Sequence, residues 1–196
     1  MQNEIVAHND LKIRVQEGFF TPIRSNEFLE SLIETLPWES IKIKMFGREV
    51  FIPRLQCWIS DDGCEYSYSG NKLNRQPWTP ELLMIKEQVL KKTNLEFNSV
   101  LINYYQDGQD SMGWHADDEK ELGKNPTIAS LSFGGEPDPV FKNILSKETL
   151  AIPQLNGALI IIDGKTQRYS QHSIKKTKKF ISPRINLTFR NIMFQD

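Results

Sequence analysis

Residues 183–190 read Pro-Arg-Ile-Asn-Leu-Thr-Phe-Arg, with apolar Ile185, Leu187 and Phe189 alternating with Arg184, Asn186, Thr188 and Arg190. Successive side chains of a strand point to opposite faces, so one face of this segment is apolar and the other carries two guanidiniums. An arginine fork binds a carboxylate bidentately and is costly to place in a strand without such a partner. The even separation of Arg184 and Arg190 sets both on the polar face, which reads as a dicarboxylate pocket. The alternative is the solvent face of an edge strand.

Working outward, Val100 to Tyr105, Ile128 to Phe133 and Ala158 to Ile162 are further runs rich in β-branched and aromatic residues, punctuated by Gly and Pro. Two helices precede them. Ser25 to Leu36 carries Phe28, Leu29, Leu32, Ile33 and Leu36 at three- and four-residue spacing, with Ser25 or Asn26 able to cap its start. Thr79-Pro80-Glu81 opens the second, lined by Leu82, Ile85 and Val89 and ending near Lys91 or Lys92. Early helices followed by many short strands predict a mainly β chain with flanking helices (α+β), an antiparallel sandwich or jelly roll with helices outside one sheet.

At 196 residues the chain has the length of one domain and buries a core without disulfides. Hydrophobic residues at 39% and charged residues at 25% suit a globular protein rather than a disordered or membrane one. Lys plus Arg (24) nearly balances Asp plus Glu (25), so any nucleic-acid surface has to be local. Cys57 and Cys64 have neither redox nor zinc-finger spacing and read as buried thiols in a reducing, intracellular setting. The first residues lack the pattern of a secretory signal, and no stretch has the length of a membrane span; a monomer away from membranes is expected.

His115-Ala-Asp117 sets an imidazole and a carboxylate on alternate residues, so in an extended segment both can share one ion. His172, after the Ala158 to Ile162 strand, is the candidate for a third ligand. Two histidines and one carboxylate form a facial site that leaves positions on iron open for a bidentate co-substrate and dioxygen. Taken alone, His172 reads first as a capping or core histidine and only second as a ligand.

Together, His-x-Asp, a distant His and Arg-x-Asn-x-x-x-Arg resemble the signature of the AlkB-like iron(II) and 2-oxoglutarate dioxygenases. The likeness extends over residues 40 to 192: Asn103-Tyr-Tyr105, His115-Ala-Asp-Asp-Glu119, Ile128-Ala-Ser-Leu-Ser-Phe-Gly134, Pro53-Arg-Leu-Gln56 and Glu65-Tyr-Ser-Tyr-Ser-Gly70 are similar to the alkylated-DNA repair members, nearest to those acting on duplexes. The resemblance implies a double-stranded β-helix in one dioxygenase domain. Residues 1–98 would form an N-terminal helix-and-hairpin nucleotide-recognition region, and residues 99–192 the catalytic core. Cofactors would be Fe(II) on His115, Asp117 and His172, with 2-oxoglutarate and dioxygen as co-substrates. Arg184 and Tyr105 would hold the distal carboxylate of 2-oxoglutarate, with Asn103, Asn186 and Arg190 completing its pocket.

The partner it implies is alkylated DNA, duplex or single-stranded, with RNA as the alternative, and oxygenation of a protein or small molecule as a further one. Tyr66, Tyr68 and Ser69 would contact an extruded base, with Tyr68 and His115 sandwiching it. Asp118 and Glu119 would favour cationic lesions such as 1-methyladenine and 3-methylcytosine, although they also read as an acidic turn. Ile41 to Phe51 alternates apolar and basic residues about Met45-Phe46-Gly47, a hairpin tip that resembles a base-flipping wedge; a core-facing Phe46 is the other reading. Lys175, Lys176, Lys178 and Lys179 form a basic stretch suited to phosphates, or a solvated loop. Two departures weaken that expectation: Gly135-Glu-Pro-Asp-Pro139 and Tyr104 stand where relatives commonly carry arginine.

Overall fold

The computed structural model describes residues 3–8, 11–45, 47–68, 71–179 and 181–193. Its centre is an antiparallel arrangement of β9 (Ser99–Tyr105), β11 (Ile128–Gly134), β14 (Leu159–Ile162) and β16 (Arg184–Arg190). Further strands are β1 (Asn3–His8), β2 (Leu11–Gln16), β5 (Leu55–Ser60) and the two-residue β8 (Arg75–Gln76). They extend the sheet to eight strands in the order β1-β2-β14-β11-β16-β9-β5-β8. Both edges of this sheet therefore come from the first 98 residues. A second sheet of four strands runs β10 (Met112–His115), β15 (Ser170–Ile174), β12 (Val140–Asn143), β13 (Thr149–Ala151). Two facing sheets, antiparallel except where the edge strand β8 runs parallel to β5, make the expected jelly roll.

Side-chain parity decides which face of the large sheet does what. Val100, Ile102, Ala129, Leu131, Phe133, Ile185, Leu187 and Phe189 pack against two helices, α1 (Pro22–Thr35) and α2 (Pro80–Thr93), through Phe28, Leu32, Leu82, Ile85 and Val89. The opposite parity, including Leu101, Ile128, Ile160 and Ile162, packs against Met112, Phe141 and Ile152 of the small sheet or its connections. The polar members of that second set, Arg184, Asn186, Thr188 and Arg190, are thereby enclosed between the sheets. Tyr104 has the first parity and packs on Trp38, ring centroids 5.2 Å apart. Its exchange for arginine thus falls outside the pocket.

The first helix begins earlier than the periodicity predicts. Thr21 rather than Ser25 caps it, its hydroxyl accepting from the Arg24 amide at 3.3 Å, and Pro22 takes the first turn. Ser25 is instead buried, and its hydroxyl donates to the Thr21 carbonyl at 2.9 Å. The second helix is capped by Thr79, as its sequence implies, and closes on Asn94 at φ 55°. The hairpin between β3 (Lys42–Met45) and β4 (Arg48–Phe51) pairs Met45 with Arg48, and Gly47 takes φ +79° at the turn. Phe46 and the side chain of Met45 lie outside the described residues. A second short hairpin pairs β6 (Ser67–Tyr68) with β7 (Asn71–Lys72). Among the described residues no helix is long and apolar enough to cross a membrane.

Candidate active site

β10 and β15 pair so that His115 lies directly opposite His172, and β12 brings Phe141 opposite His172 on the other side. The two imidazole centroids are 4.1 Å apart, and Phe141 stacks on His172 at 5.4 Å. β10 ends at His115, so Asp117 is delivered by the bend that follows and not by strand alternation. Gln167, on the short helix α3 (Gly164–Tyr169), accepts from the Asp117 amide at 3.2 Å and fixes that bend. One ligand atom from each of His115, Asp117 and His172 lies within 4.8 Å of the other two, close enough for one ion.

The electrostatics suit a cation. His115 Nδ1 sits 2.9 Å from the Gly113 carbonyl, which turns Nε2 to the other side of the ring. Burial lowers the pKa of His115, and burial together with His115 pushes His172 down to about 3, so both rings are neutral donors at pH 7. Burial alone would raise Asp117, but the Arg190 guanidinium outweighs it and holds the carboxyl below its usual range. Arg190 Nη2 donates to Asp117 Oδ1, and Nη1 donates to the Tyr66 hydroxyl at 2.6 Å.

Arg184 lies at the other end of the same pocket, 1% exposed. Its Nε donates to Ser132 Oγ at 2.7 Å and its Nη2 to Gln154 Oε1 at 2.8 Å, while its Cζ stands 5.1 Å from the centroid of the Tyr105 ring. Nη1 is buried with no hydrogen-bond partner among the described residues. All of these neighbours are neutral. A buried guanidinium with an open donor and no acidic partner fits a ligand carboxylate, so the residues present suit a dicarboxylate reaching towards the His-Asp-His cluster. Asn103 lines the same cavity. Its Oδ1 accepts from Arg54 Nε and Gln56 Nε2, both at 2.8 Å, while Asn186 Nδ2 donates to Ser130 Oγ at 2.9 Å.

The structure thus brings together His115, Asp117, His172, Asn103, Tyr105, Arg184, Asn186 and Arg190 around one cavity. Tyr66 departs from its expected role. Its ring is 1% exposed, tilted against Trp58 at 5.8 Å, because its hydroxyl is drawn inward by Arg190 and shared with Glu119. It links those two residues and has no free face on which a base can stack. Glu119 is half-buried, and burial raises its pKa; Asp118 is exposed. Tyr68 is paired through its backbone with Asn71, but its side chain and Ser69 lie outside the described residues. Lys175, Lys176, Lys178 and Lys179 are exposed on a loop pinned through Thr177, whose amide donates to the Gly108 carbonyl at 2.8 Å.

Arg54, Gln56, Ser132, Gln154 and Gln167 orient these groups, and no role for them is evident in the sequence. Arg54 and Gln56 fall in the Pro53-Arg-Leu-Gln56 stretch that carries part of the resemblance, and that stretch is the one signal available for them.

A family model described as the 2OG-Fe(II) oxygenase superfamily matches residues 12–190. Bovine (Bos taurus) DNA oxidative demethylase ALKBH2 is 37% identical over 173 residues, covering 84% of this chain and 62% of that protein. Mouse (Mus musculus) alpha-ketoglutarate-dependent dioxygenase alkB homolog 3 is 36% identical over 194 residues, covering 92% of this chain and 66% of that protein. The chain thus spans about two thirds of the length of these curated relatives. A solved structure of OsALKBH1 superposes with a TM-score of 0.64 at 15% identity, over 95% of this chain and all of that one, a likeness of fold.

Proposed function

The chain belongs to the AlkB-like members of the 2OG-Fe(II) oxygenase superfamily, and from that membership we propose that it oxidatively demethylates alkylated nucleobases, with 1-methyladenine and 3-methylcytosine in DNA as its substrates. The observation that carries the reading is the pairing, in one cavity, of a His-Asp-His cluster with a buried arginine that has no anionic partner among the described residues. When bound, iron with 2-oxoglutarate and dioxygen supplies the oxidation of the alkyl carbon, with succinate, carbon dioxide and formaldehyde as products.

The protein's part is to bind and orient. His115, Asp117 and His172 would hold the iron, and Arg190 would keep Asp117 ionised and aimed at it. Arg184 and Tyr105 would take the distal carboxylate of 2-oxoglutarate, fixing the direction in which it lies, with Asn103, Asn186 and Arg190 along its length. The interior faces of both sheets, with Ile128, Ile160 and Phe141, exclude water from that end.

Glu119, tied to Arg190 through Tyr66, and the exposed Asp118 would offer negative charge to a cationic base, a feature undamaged adenine and cytosine lack. Tyr68, Ser69 and His115 would contact that base. The Met45-Phe46-Gly47 tip would fill the gap it leaves in a duplex, and Lys175, Lys176, Lys178 and Lys179 would meet the phosphates. On this assignment, residues 1–98 recognise the nucleotide and residues 99–192 carry the iron site, in one domain.

With iron(II) and 2-oxoglutarate, an oligonucleotide containing 1-methyladenine is expected to release formaldehyde, and His115→Ala to abolish the release. Duplex DNA, single-stranded DNA and RNA are compared at one salt concentration, because phosphate contacts make affinity salt-dependent. Turnover of free amino acids with none on any methylated oligonucleotide would replace this reading with a protein or small-molecule oxygenase.

A further inference from the structure

Gln154 lies in the loop between β13 and β14, 2% exposed, on the wall of the cavity. Its amide is held at both ends. Nε2 donates to the carbonyl and hydroxyl oxygens of Ser130 at 3.1 and 3.2 Å, which leaves Oε1 to face Arg184, where it accepts from Nη2 at 2.8 Å. Ser132 holds the far edge of the same guanidinium through Nε at 2.7 Å. With two of its three nitrogens fixed, Arg184 keeps Nη1 as a buried donor that has no hydrogen-bond partner among the described residues.

We propose that Gln154 is a positioning residue for co-substrate selection: it locks the Arg184 guanidinium with a neutral oxygen, leaving its full charge and one aimed amino group for a dicarboxylate. This rests on the pocket being the 2-oxoglutarate site. The neutrality of Gln154 is what matters. A carboxylate there would accept the same hydrogen bond and cancel the charge the ligand needs, whereas an apolar side chain would release Nη2 and unlock the guanidinium.

The test uses calorimetric titration of the Mn(II)-loaded protein with 2-oxoglutarate, succinate and pyruvate, for wild type, Gln154→Leu and Gln154→Glu. Succinate lacks the keto acid that chelates metal, and pyruvate lacks the distal carboxylate, so the pair separates the two ends of the pocket. Gln154→Leu is expected to weaken 2-oxoglutarate and succinate about tenfold, as loss of a hydrogen bond to a charged group implies. Gln154→Glu weakens them at least about a hundredfold, because the buried guanidinium gains an anionic partner within the protein. Affinities for Mn(II) and pyruvate stay unchanged in both. In turnover, Gln154→Leu raises KM for 2-oxoglutarate about tenfold and leaves kcat within about twofold.

Should Gln154→Leu fail to fold, the Gln154→Glu titration decides, on protein whose melting curve shows it to be folded. Wild-type binding of both dicarboxylates with equally tight binding by the variants overturns the role of Gln154 and leaves the co-substrate reading standing. A wild type that binds neither dicarboxylate overturns both.

Discussion

Arg184 and Arg190 are the largest fully buried side chains among the described residues, and they do different work although one strand carries both. Arg190 is matched to Asp117 and Tyr66, whereas Arg184 is surrounded by neutral atoms. Arg190→Met strands Asp117 as a buried carboxylate. We expect about 3 kcal/mol less stability in urea unfolding, since breaking one half of a buried pair costs that order of energy. Saturating Mn(II) should recover part of the loss, because the ion returns positive charge to the same carboxylate. Arg184→Met should leave Mn(II) binding intact while weakening 2-oxoglutarate by about a hundredfold or more in calorimetry. Equal effects of the two substitutions on both ligands would contradict this division of labour.

At the scale of elements, the register of β11 against β16 aims the pocket, because Ser132 pairs with Asn186, and Gly134 with Arg184. Gly134 closes β11 at φ +89°, where an added Cβ would stand 2.2 Å from the Pro183 carbonyl oxygen and 2.8 Å from Leu29 Cδ2. Gly134→Ala is therefore expected to cost about 2 kcal/mol or more and to lower the melting temperature, with weaker 2-oxoglutarate binding as Arg184 shifts. Gly113, in β10, has open space for 4 Å around the place a Cβ would take, and Gly113→Ala should fall within about 0.5 kcal/mol of wild type. The alternation of residues 184–190 makes the two faces of β16 readable from the sequence, because parity in a strand is local. The bend carrying Asp117 is not readable there, since Gln167, fifty residues later, fixes it. Nor is the inward turn of Tyr66, which depends on Arg190 far along the chain. The start of α1 is obscured for the opposite reason. Its cap is local, Thr21-Pro22, but Ser25 offers an equally good capping residue, and tertiary burial claims Ser25 instead.

For the whole molecule, two facing sheets with helices behind one of them place the His-Asp-His cluster on the small sheet and its adjoining bend, and the buried Arg184 on the large one. The site is thus assembled only when both sheets close. The two thiols report on the two cores, Cys57 on the one under the helices and Cys64 on the one between the sheets. Burial pushes the Cys57 thiol up to about 12 and raises Cys64 as well. A thiol reagent at pH 8 is accordingly expected to modify neither in the native protein and both in denaturant; rapid labelling of Cys57 in the native state would mean that the helices lift from the large sheet.

The most direct test of the central claim is the number of ligands each chain binds when metal-free protein is titrated without oxygen, first with iron(II) and then with 2-oxoglutarate. The account predicts one of each per chain, with iron lost in Asp117→Ala and 2-oxoglutarate lost in Arg184→Met. Iron binding that survives replacement of His115, Asp117 and His172 together, or 2-oxoglutarate binding indifferent to Arg184, would contradict it.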